Sequence, residues 1–217
     1  MFGKRNVGAY SRFMREQPPH IVLNLDMEEP VEISNFVRTF TPLSEQYGRY
    51  IKKCITGLKS DPEVYVYVYV YVKEVRSGSI EADLIPSIMK NGSAVAIYPR
   101  GAARIVEDFV RHYGERLGLY SQGSRDETAS KSDLKEFMDG LAAVANDPNG
   151  SVTVQAVDFE DGERNIRASF KFTSQQAHET FENLEDHKRA LDSGSTADKS
   201  RALMRPGTRV PLKSLIG

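Results

Sequence analysis

Four tyrosines alternate with five valines in residues 64–72 and form the first candidate site in this sequence. Aromatic rings on one face of an open sheet can stack on unpaired nucleic-acid bases. Sheets that bind single strands mix cations among the aromatics, whereas here the first cations, Lys73 and Arg76, follow at the end of the run. We therefore predict that this face packs under a helix or lies at a subunit interface, with ligand stacking as the alternative. The residues of the face are Tyr65, Tyr67, Tyr69 and Tyr71.

The same run predicts a β-strand and, through it, an oligomer. Alternation with period two places all five valines on one face and all four tyrosines on the other, and both residue types favour a pleated surface. An uncharged strand without proline pairs readily with strands of other molecules. We expect the fold to keep this strand in the centre of a sheet or to pair it with another subunit. The second case predicts a homodimer, and a different protein partner stays open.

Metal and thiol chemistry has little support in the sequence. None of the four histidines stands in a recognised metal-binding spacing, and His178 and Glu182, four residues apart on a predicted helix, supply only two ligands. We interpret that helix face as solvated, and we expect no metal and no cofactor. The single cysteine, Cys54, excludes an internal disulfide and continues an apolar helical stripe, which predicts a buried structural thiol.

Nucleophilic catalysis and phosphate binding leave recognisable glycine-containing patterns, and none is convincing here. Glu81 and Asp83 would share one face of a strand, which we interpret as the polar side of a half-buried strand rather than a catalytic pair. The enzyme alternative needs a site assembled in space from distant residues. Its candidates are Glu107, Asp108, His112 and the segment Tyr98-Pro99-Arg100-Gly101.

Both ends of the chain are basic, although the whole chain is not. It holds 29 Lys and Arg against 30 Asp and Glu, a formal net charge of -1, so no overall field attracts a polyanion. Basic termini can add phosphate contacts that do not read base sequence. Nucleic-acid binding is therefore an alternative function, and not the favoured one. Its candidate contacts are Lys4, Arg5, Lys73, Arg76, Arg205, Arg209 and Lys213.

Strands, helices and turns must position these residues. Residues 20–26 predict a short strand, and apolar residues three or four apart predict a helix over 33–55, kinked or restarted at Pro42 with Thr41 as its cap. After the valine and tyrosine strand, a turn leads into a second strand over 79–85. Pro86 and Pro99 bracket a segment without a clear pattern, and an amphipathic helix follows Gly101.

The second half of the chain repeats this order of elements. Ser132 is the predicted cap of a third helix, which ends before residues 147–150. Two strands over 151–159 and 165–172 flank Asp161-Gly162, a strong hairpin signal. Residues 173–176 have the pattern of a capping box and open a fourth helix that runs to about residue 191.

The order of elements predicts an α+β fold in which antiparallel β-hairpins pack with amphipathic helices and a helix–strand–strand–helix unit occurs twice. The predicted organisation is a flexible basic arm (1–19), a first α+β unit (20–118), a connector (119–131), a second α+β unit (132–191) and a basic tail (192–217), with the two units forming one domain or two.

Taken together, the patterns favour a non-enzymatic interaction or ligand-sensing module that self-associates. No stretch approaches the ~20 apolar residues of a membrane span. The N-terminus also lacks the apolar core of a signal peptide. We therefore expect a soluble cytoplasmic protein without a membrane partner.

Overall fold

A computed structural model of the chain describes residues 18–30, 32–54, 63–76, 78–91, 93–96 and 101–203. Helices and antiparallel strands are both abundant in these residues, which confirms the predicted α+β class. In chain order the elements are β1 (His20–Asp26), α1 (Ile33–Cys54), β2 (Val64–Arg76), β3 (Ser79–Lys90), β4 (Ser93–Ala96), α2 (Ala102–Ser121), α3 (Lys131–Ala145), β5 (Ser151–Glu160), β6 (Glu163–Thr173) and α4 (Ser174–Leu203).

The strands form a single antiparallel sheet with β1 in its middle. The order across the sheet is β2-β3-β1-β5-β6, and the short β4 pairs with β3. Leu23 of β1 lies opposite Ala82 of β3 on one side and Val154 of β5 on the other. The hairpins β2–β3 and β5–β6 therefore flank one shared strand, and β2 and β6 end the sheet.

The hydrophobic core lies between one face of this sheet and the helices. Ile21, Leu23 and Leu25 alternate along β1 and join the core with exposures of 1% or less. Helix α2 packs on β1, β5 and β6, α1 packs on β2, and α3 packs against α1 and α4. Alternation with period two explains this arrangement, because it sends every second side chain to the helix side.

Helix α1 differs from its prediction at two points. It runs without a restart through Pro42, so Thr41 does not cap it. Phe40 and Leu43, on either side of the proline, are 3% and 2% exposed, and this burial outweighs the hydrogen bond that proline removes. Cys54 is exposed, not buried as predicted, because the buried stripe stops at Ile51 and Cys54 is the last residue of the helix.

Strand β3 runs past Pro86, which was predicted to end it, as far as Lys90. On the side away from β2, the pairing of β3 with β1 ends at Leu84 and the pairing with β4 begins at Ile88. Pro86 lies in the gap, where a strand tolerates a residue that cannot donate a backbone hydrogen bond. The segment without a clear pattern therefore contains the end of β3 and all of β4.

The predicted turn between β5 and β6 and the predicted cap of α4 are confirmed, and the cap of α3 lies two residues earlier than predicted. The Asp161-Gly162 turn joins β5 to β6 as predicted, with both residues at positive φ (54° and 83°). The capping box of α4 is also confirmed, since the Thr173 amide donates to Gln176 Oε1 at 3.0 Å. The cap of α3 is Ser130 rather than Ser132, because Ser130 and Asp133 satisfy each other's backbone amides.

The helices in the described ranges include none that is both long enough and apolar enough to cross a membrane.

Candidate interaction site

Strand β2 lies at one end of the sheet. The prediction offered a central position or pairing with another subunit, and the central position is excluded within the described chain. Strand β2 runs for 13 residues and pairs with β3 from Val64 to Arg76, with a register shift between Val72 and Glu74. The sheet order places no described strand on its other side, which we call the outer edge of β2. Backbone amides and carbonyls along such an edge are a template for pairing with another strand.

The two faces of β2 have different neighbours. The valines face the helix layer, where Val66 and Val68 pack against the core. Helix α1 approaches closely there, since a Cβ atom on Gly48 would lie 3.4 Å from the Val66 carbonyl oxygen. The tyrosines lie on the opposite face, and Tyr65 and Tyr67 are 55% and 51% exposed. Of the two places predicted for this face, packing under a helix does not apply to these two residues, and a subunit interface stays a prediction.

Tyr69 and Tyr71 are half-buried on the same face. Neighbouring tyrosine rings contact each other along the strand, with centroids 6.5 Å apart for Tyr65 and Tyr67 and 6.2 Å apart for Tyr69 and Tyr71. The four rings thus form two contacting pairs along one face, and the rings of the first pair are more than half exposed. Ligand stacking on this face stays a hypothesis.

The charged residues of β2 are confined to its last third. Lys73 Nζ lies 3.3 Å from Glu81 Oε1, and Arg76 Nε donates to Glu74 Oε1 at 2.6 Å. Both candidate polyanion contacts on this strand are therefore already paired with carboxylates. The other five (Lys4, Arg5, Arg205, Arg209 and Lys213) lie outside the described residues.

The opposite edge of the sheet offers a direct comparison. Strand β6 carries the charged residues Glu163, Arg164, Arg167 and Lys171 along its length. Charges spread along an edge strand discourage pairing with other molecules. Residues 64–72 of β2 contain no charge at all. Of the two edges, only β2 presents a long uncharged run.

An open groove of about 380 Å³ runs between α1 and the first half of β2. Lys52 Nζ donates to the Val64 carbonyl at 3.2 Å and lies 5.9 Å from the centre of the Tyr65 ring. This ammonium group occupies one backbone acceptor at the beginning of the strand. Lysine near a strand edge is a common protection against unwanted pairing, and here it acts at one end only.

A second, smaller cleft of about 90 Å³ lies among α1, α2 and α3 and is lined by several cations. Two of them are already paired, Arg49 with Glu136 and Arg116 with Asp126. Burial, followed by the Cys54 thiol and Asp108, raises the pKa of Tyr50 to about 12, so its phenol stays protonated at neutral pH. Tyr50 therefore presents a phenol, and not a phenolate, to the cleft.

The residues of the enzyme alternative are only partly brought together. His112 lines the small cleft and stacks on Tyr50 with ring centroids 6.1 Å apart. Glu107 and Asp108 instead pair with arginines one turn along α2, Arg111 and Arg104. Tyr98, Pro99 and Arg100 lie outside the described residues, and Gly101 precedes α2.

Asp126 lies in the connection between α2 and α3, and its carboxylate accepts from Arg116, which lines the cleft. The Thr128 hydroxyl and amide, with Arg116, hold its pKa below the ordinary range. A depressed folded-state pKa means that the folded chain binds the proton less tightly than the unfolded chain. The resulting stability is fully present above the unfolded pKa of about 3.9 and is lost as the pH falls through the folded-state pKa.

We expect Asp126→Asn to lower the stability measured by urea unfolding at pH 7 and to lower it less at pH 3, because the stability that the charged carboxylate contributes is already partly lost below the unfolded pKa of about 3.9. The adjacent exposed acid Glu127 supplies a matched control, Glu127→Gln, which we expect to leave the unfolding midpoint unchanged at both pH values. An equal loss at pH 7 and pH 3 for Asp126→Asn would mean that the carboxylate charge is not the cause.

A buried histidine of β1 and a buried carboxylate of β3 lie next to each other on the face of the sheet that carries the tyrosines. His20 Nδ1 donates to the Pro18 carbonyl at 2.8 Å, and His20 Nε2 lies 3.5 Å from Asp83 Oδ1. The side chains are 4% and 2% exposed. The sequence predicts that Asp83 lies on the polar side of a half-buried strand. In the structure its side chain is buried and links β3 to β1. Its partner in that prediction, Glu81, pairs with Lys73.

The described residues contain no cluster of three or more His, Cys, Asp or Glu side chains arranged to hold a metal ion. His178 and Glu182 lie 3.6 Å apart on α4, with side chains 70% and 72% exposed.

Comparison with known proteins gives no relative from which a function can be carried over. No family model matches the chain, and neither a curated protein nor a solved structure is significantly similar to it. Inferences about function therefore rest on the geometry of the chain itself.

Proposed function

We propose that this chain is a non-enzymatic interaction module that self-associates through the outer edge of β2. The observation that carries the proposal is the position of an uncharged nine-residue run at the end of the sheet. Its outward backbone groups have no strand partner in the described chain. A strand added at such an edge gains main-chain hydrogen bonds, and alternate side chains provide specificity.

Side-chain exposure along β2 supports the same proposal. Tyr65 and Tyr67 are more than half exposed, and Val72 is 47% exposed although it lies on the helix side. A partner strand would cover part of each of these apolar surfaces. Cross-strand aromatic pairs and pairs of β-branched residues each stabilise a sheet by about 0.2–1 kcal/mol.

Sedimentation velocity over a wide range of concentration tests this proposal with a matched pair of variants. Tyr67→Lys introduces a charge at the β2 edge, and Ile166→Lys introduces the same charge at the β6 edge, where Ile166 is 54% exposed. Because a symmetric dimer contains each change twice, we expect Tyr67→Lys to weaken association about tenfold or more, which corresponds to about 1.4 kcal/mol. We expect Ile166→Lys to associate like the wild type.

Both positions are exposed, so each variant should unfold within about 0.5 kcal/mol of the wild type. Wild-type protein that sediments as a monomer at every concentration would contradict the proposal. Equal weakening by both variants would contradict the assignment to β2.

A further inference from the structure

We infer that the strand that pairs with β2 is β2 of a second copy, antiparallel to it about a two-fold axis that passes through Val68. This inference rests on the proposed self-association and specifies its geometry. Residues 64–72 read the same in both directions, with Val68 at the centre. A two-fold symmetric interface uses the same surface of both copies, and a palindromic strand is complementary to itself in that arrangement.

Antiparallel pairing about Val68 places the valine face of one copy beside the valine face of the other, and the tyrosine face beside the tyrosine face. Residues directly opposite each other in a sheet point to the same side. Val68 would face its own copy, and each remaining pair joins two valines on the helix side or two tyrosines on the other side. The pairs are Val64 with Val72, Tyr65 with Tyr71, Val66 with Val70 and Tyr67 with Tyr69. Both helix layers then lie on the same side of one continuous sheet.

Charged residues at the two ends of the palindrome favour this register over its neighbours. Glu63 precedes Val68 by five residues and Lys73 follows it by five, so the pairing brings Glu63 of each copy next to Lys73 of the other, just beyond the two ends of the paired segment. Lys73 already lies 3.3 Å from Glu81, on the tyrosine side of the sheet, and would lie between two carboxylates. A slip of two residues would place Glu63 opposite Tyr71 or Val75 instead. Alternation alone does not exclude such slips, because it repeats every two residues.

The strand geometry beyond Val72 limits the paired length. The register between β2 and β3 shifts between Val72 and Glu74, which marks a bulge at the end of the palindrome. Bulges bend an edge strand away from further pairing. At the other end, Lys52 holds the Val64 carbonyl. The residues between these two features, Tyr65 to Val72, are the segment available to a second copy.

Single cysteines introduced into a Cys54→Ser background test the axis. Under mild oxidation we expect Val68→Cys to form a covalent dimer readily, because only a residue on the axis faces its own copy. In the same register Tyr67→Cys and Tyr69→Cys face their copies diagonally, about 7–8 Å apart, and should cross-link far more slowly. Val68→Cys is a conservative change, and a folded protein is verified by sedimentation under reducing conditions.

The possible outcomes test the register and the self-association separately. Preferential cross-linking at residue 67 or 69 would overturn the register and leave edge pairing in place. Equal cross-linking at all three positions would indicate parallel pairing and overturn the two-fold axis. A reduced protein that still sediments as a dimer without cross-linking anywhere would overturn the use of β2. A monomer under reducing conditions would contradict the proposed function.

Charge exchange gives an independent test of the same register. Glu63→Lys and Lys73→Glu should each lower the association constant severalfold, and the double variant should recover most of the loss, as coupled residues do in a double-mutant cycle. Additive losses in the double variant would mean that the two residues do not meet across the interface.

Discussion

We expect Phe137→Ala to lower the free energy of unfolding by about 3–5 kcal/mol, the range typical of truncating a buried phenylalanine in a packed core. Phe137 is 0% exposed in α3. Its ring stacks on Tyr113 at 5.1 Å between centroids, meets Tyr120 edge-on at 5.2 Å, and lies 4.8 Å from the Arg116 guanidinium carbon. Truncation therefore leaves a cavity where α3 meets α2 and also removes aromatic contacts.

Urea unfolding followed by circular dichroism measures this loss. A typical domain is stable by about 5–15 kcal/mol, so the expected change removes a large part of the total. Ile166→Ala removes an apolar side chain that is 54% exposed, and we expect it to change stability by no more than about 0.5 kcal/mol. A loss below about 1 kcal/mol for Phe137→Ala would show that the helices are not packed around this ring.

Asp147→Ala has the second largest expected effect, a loss of about 2–4 kcal/mol of folding stability, because it removes the acceptor of several charge-assisted hydrogen bonds. Asp147 is 2% exposed in the connection between α3 and β5. Its Oδ2 accepts from the backbone amides of Glu28 and Glu29 at 2.8 Å each, and its Oδ1 accepts from the Asn149 amide at 3.0 Å. Without the carboxylate, these donors lose their common partner.

Asp147→Asn separates charge from shape in the same unfolding experiment. Asparagine keeps one carbonyl oxygen as an acceptor, so we expect a loss smaller than that of Asp147→Ala and larger than zero. Equal stability of wild type and Asp147→Ala would show that the segment after β1 does not depend on this side chain for its position.

Local chemistry predicted the parts of the fold that depend on a few neighbouring residues. Asp161-Gly162 favours a tight hairpin turn wherever it stands between strands, and the alternation of residues 64–72 admits only an extended strand with two distinct faces. Proline often ends a strand, so the sequence predicts that the second strand ends before Pro86. Pro86 is accommodated only because β1 and β4 leave a gap beside it, and a gap between strands is a property of the assembled sheet.

Contacts between distant residues could not be predicted in this way. Asp147 binds amides 118 and 119 positions earlier in the chain, and no local pattern links those segments. The edge position of β2 likewise depends on which strands pair with β1 and β3. His20 and Asp83 each looked like ordinary polar residues until the sheet placed them within 3.5 Å.

One part of the candidate site is visible in the sequence alone. The palindrome centred on Val68 and the flanking Glu63 and Lys73 need no structure to be recognised. They gain meaning only when β2 is known to lie at an edge, because a palindromic strand buried between two others has no second copy to meet.

Hydrogen exchange of the β2 amides at several protein concentrations tests the proposed self-association most directly. Pairing at the outer edge predicts that the outward amides of residues 64–72 exchange slowly at high concentration and faster on dilution, while the amides of the opposite edge strand, β6, exchange at a constant rate. Outward β2 amides that exchange rapidly and equally at all concentrations would contradict the account, because no second strand would then protect them.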